Sequence, residues 1–414
     1  MSKSAQNFGL MAFVFVLSDS MVTYFLRPFL GAKEVSTNFL LPIFVLAVIV
    51  IWGIKVISVS GHVRFALVMG YTGFLVGVVI LPDFNIYRVG TILSGLSAFF
   101  IGYFSSKWTD NVDMYARAFI FVGGLYVCIC LLAIHESFPS LFPVIKRPGN
   151  YMGTLIVRPE ITTDQNFQFF YLLPVVLCLA LPFRLVRFLA CFGGLVGALY
   201  IMNCLQTRSG FLILTGASVL CLFAPLFSRG LGRKKTIILP LLIAVLVFIN
   251  LALILQIGEP IIARFFDRDY NTFYGRISAF TYLLEHISNP MWWVPMGNSH
   301  FKAMAGGQLP HCTPTAIFLE AGILGLYMWI VVFFVPLIYL TRMLLKGELD
   351  ALATVILVGG ISCFIGQLSL NAPLHEHVWL WAGAVLGTLA RVRHAFSDRE
   401  KNEKLLKEWE DPSE

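Results

Sequence analysis

Residues 314–341 read PTAIFLEAGILGLYMWIVVFFVPLIYLT, 28 consecutive positions of which one, Glu320, is charged at neutral pH. A helix rises about 1.5 Å per residue, so roughly 20 apolar residues cross the hydrocarbon of a bilayer. A run of this length and purity is therefore a membrane span. Outward from it, apolar runs bounded by Pro, Gly or charge occur at 8–30, 39–59, 64–82, 86–104, 114–134, 168–183, 186–203, 207–227, 236–256, 352–371 and 376–392, which brings the expected spans to twelve. The composition agrees: 58% of the 414 residues are hydrophobic and 13% charged, against about 25% charged in an ordinary soluble domain. Twelve spans use roughly 240 positions, so no soluble domain of any size is left. The expected fold is an all-α polytopic membrane protein, with a single transmembrane domain over 1–392 and a tail over 393–414. Soluble Rossmann or TIM-barrel enzymes, disulfide scaffolds and disordered chains are excluded. Transporter, channel and membrane-embedded enzyme all remain.

Lys3, Arg64, Lys107, Arg184 with Arg187, Arg229 to Lys235, Arg342 with Lys346, and the tail from Arg391 to Lys407 fall on one side if there are twelve spans. Cytoplasmic loops concentrate Lys and Arg, so both termini are expected in the cytoplasm. The net charge of +7 is accounted for by these loops, and no run tracks a nucleic-acid backbone. Met1 to Asn7 is short and polar and no clear cleavage site follows, which predicts a retained first helix. Seven of the eight cysteines sit in apolar stretches, where a thiol packs as a small hydrophobe, and Cys312 is the one expected to be accessible. Gly193-Gly194 and Gly359-Gly360 read as close helix contacts. Ser397 to Glu414 reads as a solvated helix.

The two longest loops, 135–167 and 257–313, then face away from the cytoplasm, and the second keeps positive charge against the rule. It holds Arg264, Asp267, Arg268, Asp269, Tyr270, Tyr274, Arg276, Glu285, His286, Trp292, Trp293, Asn298, His300, Lys302 and His311. Guanidinium groups grip phosphate oxygens in a fork, and aromatic rings stack on sugars or sit at headgroup level. Such a mixture suits an anionic ligand met at the membrane surface. Asp267-Arg268-Asp269 matches the Asp-x-Asp metal pattern, but three residues on the side without nucleotide sugars weigh little. Arg276 opens Ile277 to Ile287, where Phe280, Leu283, Leu284 and Ile287 recur at helical spacing, and a helix start favours anions. Arg208 opens the eighth span, where an arginine needs a partner or ligand. His311 precedes Pro314, and a neutral imidazole there can take a proton from an attacking hydroxyl. Arg158, in Val157-Arg158-Pro159-Glu160, either joins the cavity or pairs with Glu160 or lipid phosphate. Glu320 is an expensive group within its span, either orienting a helix pair or held neutral.

Taken in order, Thr207-Arg208-Ser209-Gly210, Gly275-Arg276 with its amphipathic stretch, Asn289-Pro290 to Gly297-Asn298, and His311 followed by Glu320-Ala321-Gly322-Ile323-Leu324-Gly325 resemble the O-antigen ligase and polymerase superfamily. The motifs cover roughly 200–330, and Cys312 stands where that family usually has Asn. The resemblance implies a GT-C-like, metal-independent glycosyltransferase without a cofactor, its large periplasmic loop between spans nine and ten, in a Gram-negative inner membrane. It implies an undecaprenyl-diphosphate-linked glycan as donor and, for a ligase, a lipid A–core sugar hydroxyl as acceptor. A polymerase would use a second lipid-linked repeat unit. Arg208 and Arg276 would hold the diphosphate and His311 would orient or deprotonate the acceptor, with Arg264, Arg268, Arg158 and Tyr274 as further donor or glycan contacts. A transporter should show internal repeats and broken helices at a midplane site, and no clear repeat is visible. A non-enzymatic assembly partner would leave Arg208, Arg276 and His311 as surface charges.

The expected topology is tested by alkaline phosphatase fusions. Those ending at Asn150 and Ser299 should be active, and those ending at Arg229 and Gly347 inactive; the reverse pattern would invert the orientation.

Overall fold

In the computed structural model the described residues are 3–18, 21–22, 24–25, 60–80, 86–109, 111–148, 155–161, 168–181, 185–205, 207–228, 281, 284–285, 287–297, 312–368, 370 and 375–410. They form helices α1 (Lys3–Leu17), α2 (Gly61–Ile80), α3 (Ile86–Trp108), α4 (Val112–Ile134), α5 (Gln168–Leu177), α6 (Leu185–Cys204), α7 (Arg208–Phe223), α8 (Thr313–Trp329), α9 (Val335–Leu345), α10 (Ala351–Gln367) and α11 (Glu376–Glu410). A short hairpin pairs β1 (Val144–Pro148) with β2 (Leu155–Pro159), antiparallel, with Ile145 opposite Arg158. Among the described residues four stretches are long and apolar enough to cross a membrane: Gly61–Val78, Arg88–Trp108, Val112–Ile134 and Thr313–Leu345. Shorter apolar helices accompany them. The expected spans 39–59 and 236–256 lie outside the described residues.

Helix dominates because hydrocarbon offers the backbone no hydrogen-bond partner. Caps mark where the chain leaves it. Asn111 accepts from the amide of Met114 at 3.1 Å to start α4, and Asp350 accepts from that of Ala353 at 2.7 Å to start α10. Pro174 lies inside α5, which ends at Leu177 and tightens into a single 3₁₀ turn over Cys178–Ala180.

Contacts between helices settle their directions. Ser94 reaches Glu376 while Gly387 meets Tyr103, so α3 and α11 run parallel. Gly70 meets Met328 and Gly77 the Glu320 carbonyl, so α2 and α8 run antiparallel. Tyr126 bonds Gln168 and Cys178 bonds the Ala116 carbonyl, so α4 and α5 are antiparallel too. One end of the bundle thus collects the end of α4, the starts of α5, α8 and α11, and the hairpin, whose approach is tied down by Tyr24 donating to Leu141 at 3.0 Å. At the opposite end Arg187 pairs with Asp113, and Arg391 forks onto Asp350 at 2.8 and 3.2 Å.

Small residues allow the closest approaches. A Cβ on Gly102 would collide with the Leu380 carbonyl, and one on Gly383 with that of Phe99, so α3 and α11 pack backbone to backbone. Of the expected glycine contacts, Gly194 meets Val175, Gly359 the Trp381 ring and Gly360 Val385, whereas Gly193 faces open space.

The expected 135–167 loop contains the hairpin, and α11 runs unbroken from Glu376 to Glu410 through position 392. Two expectations for cysteines are corrected. Cys312 is 2% exposed, buried at the start of α8, and Cys128 is exposed on the outside of α4.

Gly383→Ala should therefore lower stability by about 1–3 kcal/mol through overpacking, read as a lower melting temperature in detergent. Gly124→Ala, with nothing near its Cβ position, is the neutral control.

Candidate functional site

The sequence directs attention to the start of α8. Cys312 precedes it in an extended conformation and Pro314 occupies its first turn. Thr313 donates to the Leu370 carbonyl at 2.7 Å, which fastens this start beyond the C-terminal end of α10. Within α8, Gly322 takes φ 67° and ψ −162°, breaking the helix inside an apolar segment. Only glycine adopts that conformation readily.

The break is filled from outside. The amide of Met296 donates to the Leu319 carbonyl at 3.0 Å, replacing the helical partner that the break removes. A Cβ on Gly322 would collide with the Trp293 carbonyl, so the segment 293–297 seats directly on the break. That segment is braced by a 3₁₀ turn over Pro290–Trp293 and by the Trp293 indole donating to the Ile287 carbonyl at 2.8 Å. On the other side the Glu320 and Ala321 carbonyls lie against Gly77 and Gly73 of α2, where a Cβ would collide with them.

Beside the break, Arg88 Nη2 contacts Glu320 Oε1 at 2.8 Å, joining α3 to α8. Insertion scales put an ionised residue at a span centre at about 2.5–3.5 kcal/mol. A cation partner offsets much of that for Glu320. The contact ties α3 to α8 through Glu320.

At the same end, His375 precedes α11, which opens with Glu376-His377. Ser94 donates to Glu376 Oε1 at 3.2 Å, and His375 Nδ1 lies 3.8 Å from Glu376 Oε2. The backbone amide of His377 donates to His375 Nδ1 at 3.3 Å, which favours the tautomer carrying its proton on Nε2. His377 is wholly buried, 4.7 Å from the Tyr171 ring and 5.5 Å from that of Phe170. Neither of its ring nitrogens has a hydrogen-bond partner among the described residues. Nearby, Tyr126 bonds Gln168, the Trp329 indole donates to Gln367 at 2.7 Å, and His135 stacks on Tyr200 at 5.8 Å.

Of the site residues read from sequence, Arg208 is the first residue of α7 and its side chain lies outside the described set. Thr207 before it is buried and donates to the Met202 sulfur at 3.2 Å. Because α7 packs along α5 and α10, with Cys221 bonded to the Ala180 backbone at the far end, Arg208 sits at the end where α5 and α8 begin. Arg158 is half-buried on β2 of the hairpin. Arg264, Arg268, Tyr274, Arg276 and His311 lie outside the described residues, as do Asp267 and Asp269.

Sequence reasoning missed Arg88, Ser94 and the His375–His377 cluster. Arg88 carried a usable signal, being a cation at the edge of an apolar run. The histidines carried little, since a loop histidine is commonplace. Comparison of the chain with protein-family models, curated proteins and solved structures returned no match.

Gly322→Ala should be destabilising by about 1–3 kcal/mol from its positive-φ, glycine-only backbone alone, and by more from the Trp293 clash. The measurement is melting temperature together with Trp emission; an unchanged spectrum and melting temperature would contradict the break.

Proposed function

We propose that the chain is an O-antigen ligase, a metal-independent inverting glycosyltransferase that moves a glycan from undecaprenyl diphosphate to a lipid A–core sugar hydroxyl at the periplasmic face. One observation carries the reading. The ordered motifs Thr207-Arg208-Ser209-Gly210, Gly275-Arg276 and His311 with Glu320-Ala321-Gly322 have their described parts, the starts of α7 and α8 and the break at Gly322, toward one end of the bundle. On this reading that end is periplasmic, the architecture is GT-C-like with twelve spans, and both termini are cytoplasmic.

The acceptor oxygen attacks the anomeric carbon as the bond from that carbon to the diphosphate oxygen breaks. The bonding electron pair leaves on undecaprenyl diphosphate, and His311 takes the acceptor proton. Arg208 and Arg276 neutralise the charge growing on the leaving oxygens, a task for which arginine suits because it stays charged and binds in a fork. Arg264, Arg268, Arg158 and Tyr274 contact donor or glycan. Direct displacement with inversion is the step this reading takes, motivated by the sequence offering no convincing carboxylate pair for a covalent intermediate.

The test uses purified protein with an undecaprenyl-diphosphate-linked glycan, with and without lipid A–core and without added metal. Transfer to lipid A–core is expected. Arg208→Ala and Arg276→Ala should each lower turnover about 10²–10³-fold, and His311→Ala about 10²–10⁴-fold. A ladder of longer undecaprenyl-linked chains would make it a polymerase instead. A product retaining the donor's anomeric configuration would refute direct displacement, and three fully active variants would refute the site.

A further inference from the structure

The ion pair between Arg88 and Glu320 is lopsided. The Glu320 side chain is 8% exposed while that of Arg88 is 33% exposed. Arg88 therefore presents an open side. Among the described residues it directs one N–H, from Nη2, at one carboxylate oxygen, although a guanidinium carries five donors in a rigid fork. It lies in the first turn of α3 at the hairpin end, where a long side chain can reach toward the membrane surface. Glu320 follows Thr313 by seven residues, or about 10 Å of helix. The cation thus stands within a headgroup's reach of the start of α8, which His311 precedes.

We propose that Arg88 is a phosphate-binding residue of the donor site, held ready by Glu320 and released to the donor when a phosphate of the lipid diphosphate displaces the carboxylate. The proposal rests on the reading that the donor is a lipid diphosphate. Its chemistry is substitution of like for like: carboxylate and phosphate oxygens accept from the same guanidinium fork, and a diphosphate carries more negative charge than one carboxylate. Glu320 then acts as a competitor. It keeps the cation neutralised in a low-dielectric setting while the site is empty and lowers the affinity of weaker anions.

This predicts opposite signs for the two halves of one ion pair, which a purely structural bridge would not give. The full chain is placed in phosphatidylcholine nanodiscs and its melting temperature followed while undecaprenyl diphosphate or, separately, phosphatidylglycerol is added. Undecaprenyl diphosphate should stabilise the wild type. Arg88→Gln should raise its half-saturating concentration about tenfold, the loss expected for one charge-assisted contact. Glu320→Gln should lower it severalfold, and the double variant, which leaves no unpaired charge, should follow Arg88→Gln. The proposal is overturned if both single variants weaken binding alike, or if Arg88→Gln leaves a wild-type-like response. It is also overturned if phosphatidylglycerol matches undecaprenyl diphosphate in dependence on Arg88, which would make the site a general lipid-phosphate contact. A wild type that ignores undecaprenyl diphosphate altogether would instead refute the ligase reading beneath it.

Discussion

Much of the hairpin end depends on a single hydrogen bond, from the amide of Met296 to the carbonyl of Leu319. A helix interrupted within hydrocarbon frees backbone groups that lipid cannot satisfy, so such a break persists only where protein closes over it or where it lines a cavity. Here protein closes over it from two sides. The segment 293–297 supplies the donor, and α2 offers glycines at 73 and 77 so that the displaced carbonyls of Glu320 and Ala321 have room. Shape therefore passes from a loop of low local order in sequence to a buried helix, and from there to the ion pair that joins α8 to α3.

The rest of the bundle is arranged so that this irregularity is confined. Toward the opposite end α3 and α11 meet through Gly102, Gly383 and Gly387 at backbone distance, and rings of Phe13, Tyr115, Phe119 and Trp381 interlock at centroid separations of 5.7 to 6.2 Å. Without a hydrophobic driving force between helices in lipid, such close packing is what holds them. One group of polar residues, Arg88, Ser94, Gln168, Glu320, Gln367 and His375 to His377, gathers near the hairpin end. Clustering gives most of these groups a partner, as with Arg88 and Glu320 or Ser94 and Glu376, while the His377 ring nitrogens have none among the described residues.

The helices were legible because a span is a local property. The runs 114–134 and 186–203 correspond to Val112–Ile134 and Leu185–Cys204, with ends set by Asn111 and by charge or turn residues nearby. The break at Gly322 was not legible. Glycines abound in these apolar runs, and only the arrival of Trp293 and Met296 distinguishes this one from Gly325, which stays helical. The hairpin was hidden because five-residue strands inside a long loop carry too few alternations to register. Arg88 and Glu320 lie 232 positions apart, and no periodicity links them; each could be seen as an expensive charge, but the partner could not.

The ion pair and the break belong to one device. Glu320 is two residues before Gly322, and its carbonyl lies against Gly77 of α2 while its carboxylate meets Arg88. Had α8 continued as a regular helix, the side chain would keep its place on the helical face while the carbonyl would remain bonded within the helix, and the segment 293–297 would have nothing to dock on. The break thereby links the long loop to a charged residue held in the membrane-spanning region.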